Sequence, residues 1–123
     1  MNAFIHGLCL AFALSVALPA NAAIKVLATT SDWGSLVTEL GGDKVNVYTA
    51  TSPLQDVHRV DAKPSLVARA RSADLIVATG AELESGWLPV LLQESGNSKI
   101  QPGAPGYFEI TSALRMLDIA TAV

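Results

Sequence analysis

Asp74-Leu75-Ile76-Val77-Ala78-Thr79-Gly80 is the segment from which the architecture of this chain can be read. Its apolar residues follow one another without polar alternation. That pattern predicts a strand covered on both faces, as in a parallel sheet. Thr79-Gly80 ends the run. Upstream, Ile24-Lys25-Val26-Leu27-Ala28-Thr29 and Val45-Asn46-Val47-Tyr48 read as two earlier strands. Between them Trp33, Leu36, Val37 and Leu40 recur at helical spacing. Thr30 or Ser31 supplies the cap, Asp32 sits in the first turn, and Gly41-Gly42 terminates the helix. Leu66, Val67 and Ala70 mark a short helix with Pro64 in its first turn, where a missing N–H does no harm. Trp87 to Gln93 reads as a further helix, and Ser95 to Gly106 as a loop rich in Gly, Pro and Ser. Tyr107 to Ile110 reads as a short fourth strand, whereas Thr111 to Leu117 fits neither pattern. This alternation predicts an α/β fold, a parallel sheet with flanking helices. Right-handed crossovers gather the loops that follow the strands along one edge, where open α/β sheets bind ligands.

The chain has 123 residues, half of them hydrophobic, and a mean hydropathy of +0.40. Part of that excess belongs to a leader. Residues 1–22 hold no Lys, Arg, Asp or Glu, and Leu8 to Leu18 is an apolar run followed by Pro19-Ala20-Asn21-Ala22. A short apolar run before a small-x-small site predicts a cleaved signal peptide over residues 1–22, with cleavage before Ala23 and export to the periplasm. The run is shorter than the roughly 20 residues that a spanning helix needs. The one cysteine, Cys9, lies inside it after Leu8 rather than at its end, so lipidation is not expected. The domain over residues 23–123 then holds no cysteine for disulfides or thiolate ligands. It carries all eleven acids and all eight bases, a net charge of −3, with no basic cluster. Nucleic-acid binding through phosphate neutralisation is disfavoured.

Gln55-Asp56-Val57-His58-Arg59 places His58, the one histidine beyond the leader, on the loop after the second strand. Imidazole is the commonest protein metal ligand. His58 reads either as a ligand facing the cleft or as a solvated loop side chain, and one ligand by itself makes no site. Asp56 and Asp61 either orient that imidazole through its other N–H or serve turns and caps. Glu82 and Glu84 follow the third strand. They read as an acid–base pair or, more simply, as carboxylates complementing the helix that follows. Trp33 and Trp87 read as packing residues. No phosphate loop, nucleophile elbow or Cys/His pair is present, so the residues predict neither an enzyme nor a catalytic cofactor.

Several of these segments, taken together and in order, resemble the periplasmic solute-binding proteins of bacterial zinc and manganese ABC transporters. They are Val26 to Trp33, Leu40-Gly41-Gly42-Asp43, Asp56-Val57-His58 with Lys63-Pro64-Ser65, Ala73 to Val77, and Gly80 to Leu88. Val57 stands where many members carry proline. The resemblance implies two α/β lobes joined by a long helix, with the metal between them. Residues 23–123 would then be the first lobe, truncated relative to the parent. The histidine of the Asp-x-His segment is the family's first ligand, which assigns a metal role to His58. The remaining ligands, a second histidine, a histidine or glutamate and an aspartate, come later in the family. The implied cargo is zinc or manganese, held weakly by this lobe alone, and the implied partner is the membrane permease of an importer. The alternative is a stand-alone secreted interaction domain, self-associating through the lobe face left exposed.

Overall fold

The structure is a computed structural model, and it describes residues 21–117. The expected leader, with Cys9, lies almost wholly outside them. Among the described residues no helix is long and apolar enough to cross a membrane.

Four strands form one parallel sheet: β1 (Ile24–Ala28), β2 (Val45–Thr49), β3 (Leu75–Ala78) and β4 (Tyr107–Glu109), in the order β2-β1-β3-β4. Helices α1 (Ser31–Gly41), α2 (Pro64–Ser72) and α3 (Leu88–Ser95) connect them. Val26 pairs with Val47 on one side and with Leu75 on the other, and Ile76 pairs with Tyr107. The parallel α/β architecture is the one expected from the continuous apolar run of β3.

Side chains alternate across the strands, so the two sheet faces have different partners. Leu27, Ile76 and Ala78 join Leu66 and Ala70 of α2 and Leu88, Leu91 and Leu92 of α3 in the core. Ile100, fully buried, draws the loop after α3 into the same core through a 3-10 turn at Ser98–Ile100. Helix α1 packs on the opposite face through Gly34, its one buried residue. A Cβ there would collide with the Thr49 hydroxyl and lie 3.7 Å from the Ala28 Cβ. With Gly34 against the sheet, Leu36 and Leu40 face away from it. Leu36 stays 44% exposed and Leu40 79%. The spacing of Leu36 and Leu40 marked the helix and said nothing of which face meets the sheet.

The element ends follow local chemistry. Thr30 is the N-cap of α1 in an extended conformation, but its side chain makes no capping bond. Gly42, at φ +53, closes α1 by donating its N–H to the Thr38 carbonyl. Asp74 falls outside β3. Its carboxylate accepts from the Lys25 N–H at 3.0 Å and from Lys99 Nζ at 3.3 Å, clamping the foot of the sheet. Helix α3 continues past Gln93 to Ser95 and ends at Gly96 in the left-handed region. The ambiguous segment after β4 is a 3-10 turn over Ile110–Ala113.

Candidate functional site

The chain leaves β1 for β2 on one side and returns to β3 on the other. The connections that leave the paired C-terminal ends of β1 and β3 therefore run to opposite faces of the sheet, and the crevice between them is the usual ligand position of such sheets. Gly80, Ala81 and Glu82 follow β3 with φ of +84, +50 and +67, one left-handed turn of which two residues are not glycine. Each such non-glycine residue costs about 1–2 kcal/mol. The turn folds Glu84 back onto its own strand. Glu84, 3% exposed, accepts the Thr79 N–H at 2.7 Å and the Gly80 N–H at 3.0 Å, and reaches across to the Thr29 hydroxyl at 2.6 Å. The strain of the turn is offset by three hydrogen bonds that tie β1 to β3. The Trp33 indole donates to the Thr79 hydroxyl at 2.8 Å on the same edge.

Glu82 and Glu84 are thus not equivalent. Glu82 is exposed, whereas Glu84 is a buried pin between strand ends. Nor does the Glu84 carboxyl serve the start of α3, since its partners lie on β1 and at the end of β3. Gly80 is demanded twice, by its φ and because a Cβ would run into Thr111 and Glu109.

His58 stands on the loop between β2 and α2, on this same edge. Asp56 Oδ1 accepts the His58 backbone N–H at 3.0 Å and lies 2.9 Å from its ring Nδ1. One carboxylate thus makes the turn and orients the imidazole together, where the sequence offered these as alternatives. The His58 backbone N–H first, and its ring second, hold the Asp56 carboxyl below the usual carboxylate range. In the tautomer with the proton on Nδ1, Nε2 keeps a free lone pair, and the side chain is 66% exposed. Asp61 plays the simpler part. Its carbonyl accepts the Lys63 N–H at 2.8 Å where the loop turns into α2.

Trp87, buried as a packing residue should be, also donates its indole N–H to the Val57 carbonyl at 2.7 Å. No sequence signal pointed to this tether, because its partner is a backbone atom 30 residues away. A hollow of about 280 Å³ at the crevice is lined by Thr30, Asp32, Trp33, Thr51, Val57 and Thr79. A second, of about 390 Å³, lies beside β4 between Glu84, Leu88, Leu92, Tyr107 and Glu109. The Tyr107 hydroxyl donates to Glu109 Oε2 at 3.2 Å. Burial, and then the Glu109 charge, push the Tyr107 phenol up to about 12. His58 lines neither hollow. Among the described residues no three His, Cys, Asp or Glu side chains converge as a metal cluster.

Comparison with known proteins gives the arrangement a context. The family described as zinc-uptake complex component A, periplasmic, matches residues 26–113. The manganese ABC transporter substrate-binding lipoprotein scaA of Streptococcus gordonii is 31% identical over 75 residues, which is 58% of this chain and 24% of that one. PsaA of Streptococcus pneumoniae, named in the same way, matches at the same identity and coverage. The iron ABC transporter substrate-binding lipoprotein MtsA of Streptococcus pyogenes is 26% identical over 97 residues, 76% of this chain and 30% of that one. The chain thus spans less than a third of the length of these relatives. A crystal structure of ZnuA superposes with a TM-score of 0.58 at 24% identity, over 65% of this chain and 30% of that chain, a likeness of fold.

Proposed function

The chain belongs to the zinc-uptake complex component A family, and on that premise we propose that it is the first lobe of an extracytoplasmic metal-binding protein serving an ABC importer. The family is one of uptake components, not enzymes. The cargo is a divalent first-row cation, zinc or manganese, and His58 supplies one ligand through Nε2. A single observation carries this reading: Asp56 holds the Nδ1 side of an exposed imidazole on the ligand-binding edge of the sheet. Such carboxylate–imidazole pairs orient metal-binding histidines and raise their basicity. Manganese and iron are named for relatives and zinc for the family, and imidazole suits several of these ions.

One imidazole with water completing the shell binds weakly, so the remaining ligands come from outside this lobe. The partner is the importer's membrane permease. Calorimetry with Zn²⁺ and Mn²⁺ on this chain and on a two-lobed version tests the assignment. Affinity is expected to rise steeply in the two-lobed protein and to collapse with His58→Ala. An unchanged affinity in His58→Ala removes His58 from the site.

Residues 1–22 are proposed as a cleaved leader, which leaves a periplasmic domain beginning at Ala23. The relatives are named lipoproteins, whereas Cys9 of this chain sits in the middle of its apolar run. The intact mass of the exported protein separates the two. A free amine at Ala23 supports the cleaved leader, and a diacylglyceryl group on Cys9 overturns it.

The exposure of Leu36 and Leu40 on α1 favours a second reading, an interaction domain that self-associates through this face. Sedimentation showing an oligomer indifferent to metal, and abolished by Leu40→Glu, supports that reading over transport.

A further inference from the structure

We infer that Trp87 is a positioning residue for His58, an inference that rests on the reading of His58 as a ligand. The segment from Ala50 to Lys63, which connects β2 to α2, is mostly exposed, and a connection of that kind samples many positions unless something outside it holds it. Its bonds around His58 are internal. Gln55 N–H donates to the Ser52 carbonyl, Arg59 N–H to the Asp56 carbonyl and His58 N–H to the Asp56 carboxylate. These give the loop a shape, while its two ends are held elsewhere: Ala50 N–H and the Thr51 hydroxyl donate to the Ala28 and Thr29 carbonyls, and Val60 and Ala62 pack against the core.

The stretch next to His58, between those ends, is held from the α3 side. The Trp87 indole N–H donates to the carbonyl of Val57, the residue next to His58, at 2.7 Å. Gly86 lies directly beneath the following carbonyl, where an added Cβ would stand 3.1 Å from the His58 oxygen. Trp87 is itself immobilised. It is 3% exposed, its N–H donates to the Glu84 carbonyl at 3.2 Å, and its carbonyl accepts from Leu91 at 3.0 Å. Glu84 in turn is pinned to the ends of β1 and β3. A continuous path of bonded groups therefore runs from the strand ends through Glu84 and Trp87 to the backbone that carries the imidazole. A ligand held within tenths of an ångström needs such support from rigid elements.

Two replacements at position 87 in the full chain test this. Trp87→Phe deletes the N–H together with part of the ring. Benzothienylalanine at 87 keeps the shape of the indole and deletes only the N–H, so packing survives even where phenylalanine unfolds the domain. Backbone ¹⁵N order parameters of residues 56–58 are expected to fall from about 0.85 to below about 0.6 in the isostere, with β1 and β3 unchanged. Zn²⁺ titration followed on the His58 ring signals is expected to weaken about three- to tenfold, the range that one lost hydrogen bond commands. Order parameters of 56–58 that stay at their original values in the isostere overturn the inference. His58→Ala, with Zn²⁺ binding followed by calorimetry instead, judges the underlying reading separately. If it leaves the Zn²⁺ response intact, His58 is no ligand, while the order parameters still decide whether Trp87 holds the loop.

Discussion

Replacing Glu84 by alanine removes the pin between β1 and β3. Three donors lose their acceptor: the Thr29 hydroxyl, the Thr79 N–H and the Gly80 N–H. At an ordinary net worth of about 1 kcal/mol per hydrogen bond, the loss is about 3 kcal/mol. Two effects modify this figure in opposite directions. A donor left buried without a partner forfeits about 1–3 kcal/mol, which enlarges the loss. The hollow of about 390 Å³ that Glu84 lines lets water reach the freed groups, which reduces it. Taking these as offsetting, about 3 kcal/mol is expected, a large share of the 5–15 kcal/mol that stabilises a domain. For a domain near 100 residues the midpoint falls by about 12–24 °C. Urea unfolding followed by tryptophan fluorescence suits the measurement, since Trp33 and Trp87 both flank the pin. Glu84→Gln keeps one carbonyl oxygen for Thr29 and Thr79 but sets an amide donor against Gly80, and about 1–2 kcal/mol is expected. Glu82→Ala, in the same turn but exposed, should cost less than about 0.5 kcal/mol. A loss below about 1 kcal/mol in Glu84→Ala, or an equal loss in Glu82→Ala, refutes the assignment of Glu84 as the pin.

Three further outcomes follow from the same geometry. Gly80→Ala combines a left-handed φ with collision against Thr111 and Glu109, and should destabilise by about 2–4 kcal/mol in the same assay. Asp56 titrates below its ordinary 3.8 in the folded protein. Its contact with His58 is therefore complete above that value and is lost as pH falls through the depressed pKa, and a carboxyl ¹³C titration midpoint above 3.8 contradicts the contact. Tyr107, raised from 10.0 to about 12, should keep its proton well past pH 10 by tyrosinate absorbance, and Glu109→Gln should bring the transition down. Because the folded pKa lies above the unfolded one, the contribution of Tyr107 to stability is full below pH 10.0. It disappears as pH rises through about 12.

The candidate site was legible only where the sequence separation is short. Asp56 and His58 are two residues apart, so their partnership could be proposed from the sequence, although the sequence offered as alternatives two roles that one carboxylate fills together. Glu84 and Thr29 are 55 residues apart, and Trp87 bonds a backbone atom of Val57. No local pattern marks such contacts. Glu84 accordingly read as a helix-start carboxylate and Trp87 as plain packing.

Strand and helix identity came from local chemistry alone. Continuous apolar residues in β3, helical spacing in α1, proline at the start of α2 and glycine after α1 each act within a few residues, and a linear pattern records them. The parallel alternation, and with it the edge on which His58 stands, followed from those identities and the handedness of crossovers. Which face of α1 meets the sheet did not follow: Gly34 lies against Thr49, and Leu36 and Leu40 face outward. Nor did the pin at Glu84 or the tether from Trp87. Those depend on strand ends and loops meeting in space, and only the assembled sheet brings them within hydrogen-bonding distance.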